Sequence, residues 1–205
     1  SAYIDGSQVV TTSAPTIRVV PGAPNPGKSL VEVVDASVAS GTTTTVRLRA
    51  RDAANNVIST GGANVVFGSM GGTSTVTIGS ARDNADGTYT ATLTGVISGT
   101  PTTITASLNS AAVTTPLPTV QITPGAISPA TSFVTVASPS VASTASVGVT
   151  LTAKDAAGNL IPRGGDTITF SHSGGTSTGG FSATNDPGTG IYSANFTGVV
   201  SGTPT

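Results

Sequence analysis

Apolar and polar residues alternate at period two over residues 29–34 (SLVEVV) and 46–50 (VRLRA). Strands with one buried and one wet face show this pattern. Further segments rich in β-branched residues lie at 63–67, 75–78, 88–94, 102–108 and 119–123. Between them stand AANN, STGG, ADG and SGTP, whose Gly, Asn, Asp and Pro supply the backbone angles that turns need. No stretch carries apolar residues at i, i+3, i+4 and i+7 over the length of a helix.

The same succession occurs twice. Shifting the sequence by 103 residues lays RARDAANNVI (49–58) on TAKDAAGNLI (152–161) and GGANVVF (61–67) on GGDTITF (164–170). GGTST (71–75) falls on GGTST (174–178), and DGTYTATLTGVISGTPT (86–102) on TGIYSANFTGVVSGTPT (189–205). PTIRVVPGA (15–23) falls on PTVQITPGA (118–126). Roughly half of the aligned positions are identical, the mark of an internal duplication.

The second copy reaches Thr205, the counterpart of Thr102, whereas the first continues with TITASLNSAAVTTPLPTVQITPG. The opening stretch, SAYIDGSQVVTTSAPTIRVVPG, resembles that continuation. Three parts are therefore expected. Residues 1–22 are last strands that complement a preceding repeat or subunit, 23–125 a first repeat, and 126–205 a second repeat lacking its final strands. Joined tail to head, copies would read almost in register, as in a section of a head-to-tail array.

Composition bears on whether such strands can bury a core. Charged residues make up 8% of the chain, against roughly 25% in an ordinary soluble domain. Disordered chains combine low hydrophobicity with high net charge; here 37% is hydrophobic and the net charge is −1. The abundant Val, Ile and Thr share a branched Cβ that suits a pleated sheet. Eight Lys+Arg against nine Asp+Glu leave no basic footprint for nucleic acid. No apolar run approaches the roughly 18 residues of a membrane-spanning helix, so membrane insertion is not expected. The absence of cysteine removes disulfides and thiolate metal sites.

Seven short strands in about 100 residues match the size and rhythm of an immunoglobulin-like sandwich. The expected fold is therefore all-β, with tandem sandwiches of about seven strands per repeat. The residues also carry a family resemblance. The succession V-x-L-x-A-x-D-A-A-x-N, G-G-x-x-V/I-x-F, G-G-T-S, D-G-T-Y-x-A-x-x-T and G-T-x-x-I-x-A resembles the bacterial immunoglobulin-like domains of invasin- and intimin-type adhesins. A more distant likeness is to filamin repeats. The resemblance covers 29–123 and, as far as the second copy runs, 132–205. It implies extracellular rods at a bacterial surface, without catalysis.

Motifs that suggest chemistry have simpler explanations. GAPNPGKS (22–29) fits the phosphate-loop pattern G-x-x-x-x-G-K-S. That loop needs a row of backbone N–H donors and a helix behind it. Pro24 and Pro26 remove two donors, a β-rich LVEVVD follows, and the other copy reads GAISPATS (125–132). The segment is read as an inter-repeat linker. His172, the single histidine, is replaced by Ser69 in the other copy and lacks a nucleophile elbow. Asp52…Asn56 and Asp155…Asn159 supply one carboxylate each, too few for the 6–8 oxygens calcium takes; they are read as side-chain-held turns. Asp83, Asp86 and Asp186 form a loop set that only partly repeats. Tyr89 and Tyr192 are read as core rings with the hydroxyl tied to nearby backbone. No residue is assigned a catalytic, cofactor-binding or metal-binding role.

Two readings follow, both extracellular, at a bacterial cell surface and non-enzymatic. In the first, the chain is a filament subunit whose N-terminal segment completes the last repeat of the next copy by strand addition. In the second, it is part of a long adhesin stalk whose neighbouring repeats supply those strands. The expected partners are accordingly copies of the chain head to tail or adjacent repeats, and a host or matrix surface.

Overall fold

A computed structural model describes residues 2–10, 13 and 15–205. In chain order its strands are β1 (Tyr3–Ile4), β2 (Ser7–Gln8), β3 (Leu30–Val33), β4 (Ser37–Ala39), β5 (Thr43–Arg49), β6 (Val65–Met70), β7 (Thr75–Ile78) and β8 (Arg82–Asp83). They continue with β9 (Thr88–Ile97), β10 (Thr102–Leu108), β11 (Ala111–Ala112), β12 (Thr119–Thr123), β13 (Phe133–Val136), β14 (Ser146–Thr152), β15 (Thr178–Phe181) and β16 (Ile191–Val200). The described residues are thus all-β, as the patterning requires.

Two sheets of the first repeat face each other. One runs β3-β5-β9-β7, with β8 also on β9; in the other, β10 pairs with β6, β11 and β12, and β12 pairs with β4. Alternate residues of β5 and β9 point inward, so Val46, Leu48, Tyr89 and Leu93 meet Ile104, Leu108, Val120 and Ile122 in one core. Fully burying such a side chain contributes about 1.5–3 kcal/mol.

The seven expected strands of this repeat are all present, with shifted ends. β5 begins at Thr43 because Thr43, Thr44 and Thr45 pair with Thr94, Leu93 and Thr92. β6 extends to Met70, which pairs with Thr103. β4, β8 and β11 were not anticipated; two or three residues are too few to show a period.

The second repeat, expected to lack its final strands, shows fewer strands than the first. Its four described strands form one sheet, β13-β14-β16-β15, the counterpart of β3-β5-β9-β7. Residues 168–173, aligned with β6, run without a ladder. In the first repeat β6 is held by β10 over six residue pairs, and no stretch between 126 and 205 corresponds to β10. A strand without a partner leaves its N–H and C=O groups to solvent.

In the N-terminal segment β1 and β2 form a hairpin, Tyr3 opposite Gln8 and Ile4 opposite Ser7. Its turn residues have φ of 47° at Asp5 and 82° at Gly6, against 52° at Asn109 and 70° at Ser110 in the β10–β11 turn. Positive φ at both central residues marks the turn that suits strand twist. The hairpin is therefore a local copy of β10–β11, offset by one residue from the 103-residue repeat. Ser1, Thr11, Thr12 and Ala14 of the 1–22 segment lie outside the described residues.

Candidate functional site

The two repeats meet at a joint built on the turn Asp155–Asn159. Gly158 takes φ of 84°, letting the chain turn back so that Asp155 N–H reaches the Asn159 carbonyl at 3.0 Å. Asp155 Oδ1 accepts from the N–H groups of Ala157 and Asn159, each at 2.9 Å. Its Oδ2 accepts from the Asn159 amide at 2.7 Å and from the linker N–H of Gly125 at 2.8 Å. Burial acts to raise the Asp155 pKa, but these four donors outweigh it and hold the carboxyl below its ordinary value.

The Asn159 carboxamide then crosses to the first repeat. Its Nδ2 donates to the Val96 carbonyl at 3.1 Å and its Oδ1 accepts from Ser98 N–H at 2.9 Å. Both groups lie at the end of β9 and in the turn before β10, and the Val96 carbonyl also accepts from Ser40 Oγ at 2.7 Å. Asn159 is 6% exposed, and every polar atom of its side chain is engaged.

The first repeat carries the same turn. Asp52 Oδ1 accepts from Asn56 N–H at 2.8 Å, and Oδ2 from the Asn56 amide and Gly22 N–H, each at 2.9 Å. The Asn56 amide and then the Gly22 N–H hold the Asp52 carboxyl below its ordinary value. Asn56, unlike Asn159, is exposed.

The second feature is the inner face of the β13-β14-β16-β15 sheet. Val31 of the first repeat is 5% exposed and its counterpart Val134 is 54%. The uncovered face forms a groove of roughly 790 Å³ lined by Val134, Val149, Leu151, Phe181, Phe196 and Val199, among others. Phe181 stacks near Phe170 and Phe196, with ring centroids 5.9 and 5.1 Å apart, and fills part of the space.

One tripeptide isolates the cause. Ser37-Val38-Ala39 and Ser140-Val141-Ala142 are identical. The first is strand β4 because Gln121, Ile122 and Thr123 of β12 pair with it in parallel; the second, without a partner among the described residues, is not a strand. The residues aligned with that part of β12 are Arg18, Val19 and Val20 of the N-terminal segment. Ile17 and Val19 are 93% and 87% exposed, whereas their counterparts Val120 and Ile122 are 0% and 1%.

The motifs singled out in the sequence fall into place around these features. In GAPNPGKS a tight turn replaces any phosphate cradle: the Asn25 carbonyl accepts from Lys28 N–H at 3.1 Å and Ser29 N–H at 3.0 Å. His172 lies at the groove, its ring nitrogens 2.9 Å from Thr205 Oγ1 and 3.2 Å from the Gly179 carbonyl, its edge toward Phe196. Asp83 and Asp186 each cap a Gly-Gly pair, accepting from Gly62 N–H and Gly165 N–H at 2.7 Å. Tyr89 is buried and accepts from Ala63 N–H at 3.0 Å, while Tyr192 is buried and donates to Asp166 Oδ2 at 3.1 Å. Sequence reasoning placed the Asp–Asn turns but missed their reach across the joint. The D-A-A-x-N spacing, kept in both copies, was the available signal.

Residues 25–125 match the family model of invasin domain 3. Among solved structures, the Escherichia coli adhesin FdeC is 27% identical, with a TM-score of 0.57 over 88% of this chain and 58% of its own. Invasin, a bacterial integrin-binding protein, is 26% identical, with a TM-score of 0.52 over 89% of this chain and 37% of its own. The chain thus spans little more than half of one relative and well under half of the other. No curated protein matches it by sequence.

Proposed function

We propose that this chain, a tandem of bacterial immunoglobulin-like repeats of the invasin type, is a non-enzymatic structural rod at a bacterial cell surface. Each sandwich of the rod is closed by the strands that follow it. The observation that carries this reading is the pair of identical tripeptides, Ser37–Ala39 ordered by β12 and Ser140-Val141-Ala142 left unpaired. Inserting a strand such as 16–20 there would bury Ile17 and Val19, at about 1.5–3 kcal/mol each, and satisfy the free edge.

The strands for the second repeat have two sources. In an adhesin stalk, neighbouring repeats of one polypeptide supply them; the likeness to FdeC and invasin favours this source. In a filament, the N-terminal segment of another copy supplies them by strand addition, and head-to-tail contact that does not close yields an open fibre. The match between residues 18–20 and the β12 residues that order Ser37–Ala39 supports this second source. The rod would set distance and stiffness, and the surface it serves would meet a host or matrix.

Light scattering and electron microscopy of residues 1–205 separate the two. Fibres that regrow after dilution from mild denaturant identify a polymerising subunit. A monomer with a poorly protected second repeat identifies the stalk. A monomer whose second repeat resists hydrogen exchange as well as the first contradicts strand completion altogether.

A further inference from the structure

Half of the inter-repeat joint is displayed at each end of this molecule. At the head, Gly22, Asp52 and Asn56 reproduce Gly125, Asp155 and Asn159 with matching hydrogen bonds, and Asn56 is exposed where Asn159 is buried. At the tail, the backbone that receives Asn159 is also reproduced. Ser40 Oγ donates to the Val96 carbonyl and Ser143 Oγ to the Val199 carbonyl, both at 2.7 Å. Thr73 N–H reaches Thr100 Oγ1 and Thr176 N–H reaches Thr203 Oγ1, both at 2.9 Å, fixing the identical S-G-T-P turns. Val96 and Ser98 are half-buried in the joint, whereas Val199 and Ser201 are exposed.

One substitution shows how closely the tail keeps this shape. Gly41, with φ of 80°, is replaced by Thr144, which holds φ of 68°. A β-branched residue in the left-handed region is strained. The turn bond survives: Thr144 N–H reaches the Gly198 carbonyl at 2.8 Å, as Gly41 N–H reaches Gly95 at 2.9 Å.

We infer that the head of the first repeat docks the tail of the second repeat of another copy. Asn56 donates from Nδ2 to the Val199 carbonyl and accepts on Oδ1 from Ser201 N–H, the part Asn159 plays within the chain. This rests on the reading of the chain as an end-to-end rod and adds the contact that sets its geometry. Strand insertion supplies adhesion, and the Asn56 clip fixes the angle between successive copies.

The test is sedimentation velocity of the full chain against concentration, with hydrogen exchange at Ser201 in parallel. The wild-type chain should associate and slow exchange at Ser201. Asn56→Ala should weaken association about 10-fold, as expected for two lost hydrogen bonds, leave Ser201 unprotected, and lower the melting temperature of the dilute chain by only about 2–4 °C, through its lost bond to Asp52. Asn159→Ala serves as control, loosening the internal joint without weakening association. The double variant Ile17→Asp, Val19→Asp reports on strand completion separately. If it dissociates the copies while Asn56→Ala does not, the rod stands and the docking contact is wrong. A wild-type chain that stays monomeric at all concentrations also overturns the docking contact, leaving the stalk reading untouched.

Discussion

Ser98 of the first repeat donates its backbone N–H to Asn159 Oδ1 of the second, 2.9 Å away. That bond and its companion to the Val96 carbonyl add to the linker contact of Gly125 with Asp155 and orient the joint. The same side chain also supports the Asp155 carboxylate. The turn of the second repeat and the angle between repeats are therefore coupled.

Removing that side chain should be costly at one joint and cheap at the other. Asn159→Ala loses two bonds across the joint and a donor to a buried carboxylate, so it should destabilise by about 2–4 kcal/mol. Asn56→Ala loses only the donor to Asp52 and should cost about 1 kcal/mol. Urea titration of both variants, with exchange at Ser98 as the local probe, checks the difference.

The glycines of the turns separate conformational from steric cost. Gly87 has φ of 81°, and a Cβ there would run into the Ile58 carbonyl. Gly41 has φ of 80° and open space around it. Gly41→Ala should cost about 1–2 kcal/mol from backbone conformation alone, and Gly87→Ala at least about 3 kcal/mol, a value reserved for a few mechanisms of this kind. Thermal melts of the two variants give the comparison directly.

Equivalent core positions should differ in the two repeats. Leu48 is fully buried beneath the opposite sheet, whereas Leu151 is half-buried over an open groove. Leu48→Ala should cost about 2–5 kcal/mol, and Leu151→Ala less than half as much. Denaturation followed by site-resolved exchange would assign each loss to its repeat.

Acid should loosen both turns. The carboxyls of Asp52 and Asp155 are held below their ordinary value, so each contributes stability that is present above the unfolded value near 3.9. That stability is lost as the pH falls through the lower folded value. An Asp155→Asn variant should lose this dependence at the joint. Exchange at Ala157 and Asn159 as the pH falls from 5 reports it.

Much of this was legible in the chain. The alternation in SLVEVV and VRLRA located β3 and β5, and the 103-residue repeat gave two units of one design. What the pattern could not show was pairing. Val134 and Val31 are the same residue at the same position of the repeat, yet Val134 is exposed because no described strand covers it. Burial is a property of the partner strand, which a local period does not encode. Likewise, D-A-A-x-N indicated a turn, but only the fold brings Asn159 against the backbone of Val96 and Ser98.

The central claim is that the open sheet of the second repeat is closed by a strand formed from residues 16–20 of the N-terminal segment or its equivalent. Its most direct measurement is amide exchange of residues 140–143 in the full chain, with and without a synthetic peptide of residues 1–22. The account predicts that the peptide binds, slows exchange at these amides and raises the melting temperature of the second repeat. Unchanged exchange at 140–143 in the presence of saturating peptide would contradict it.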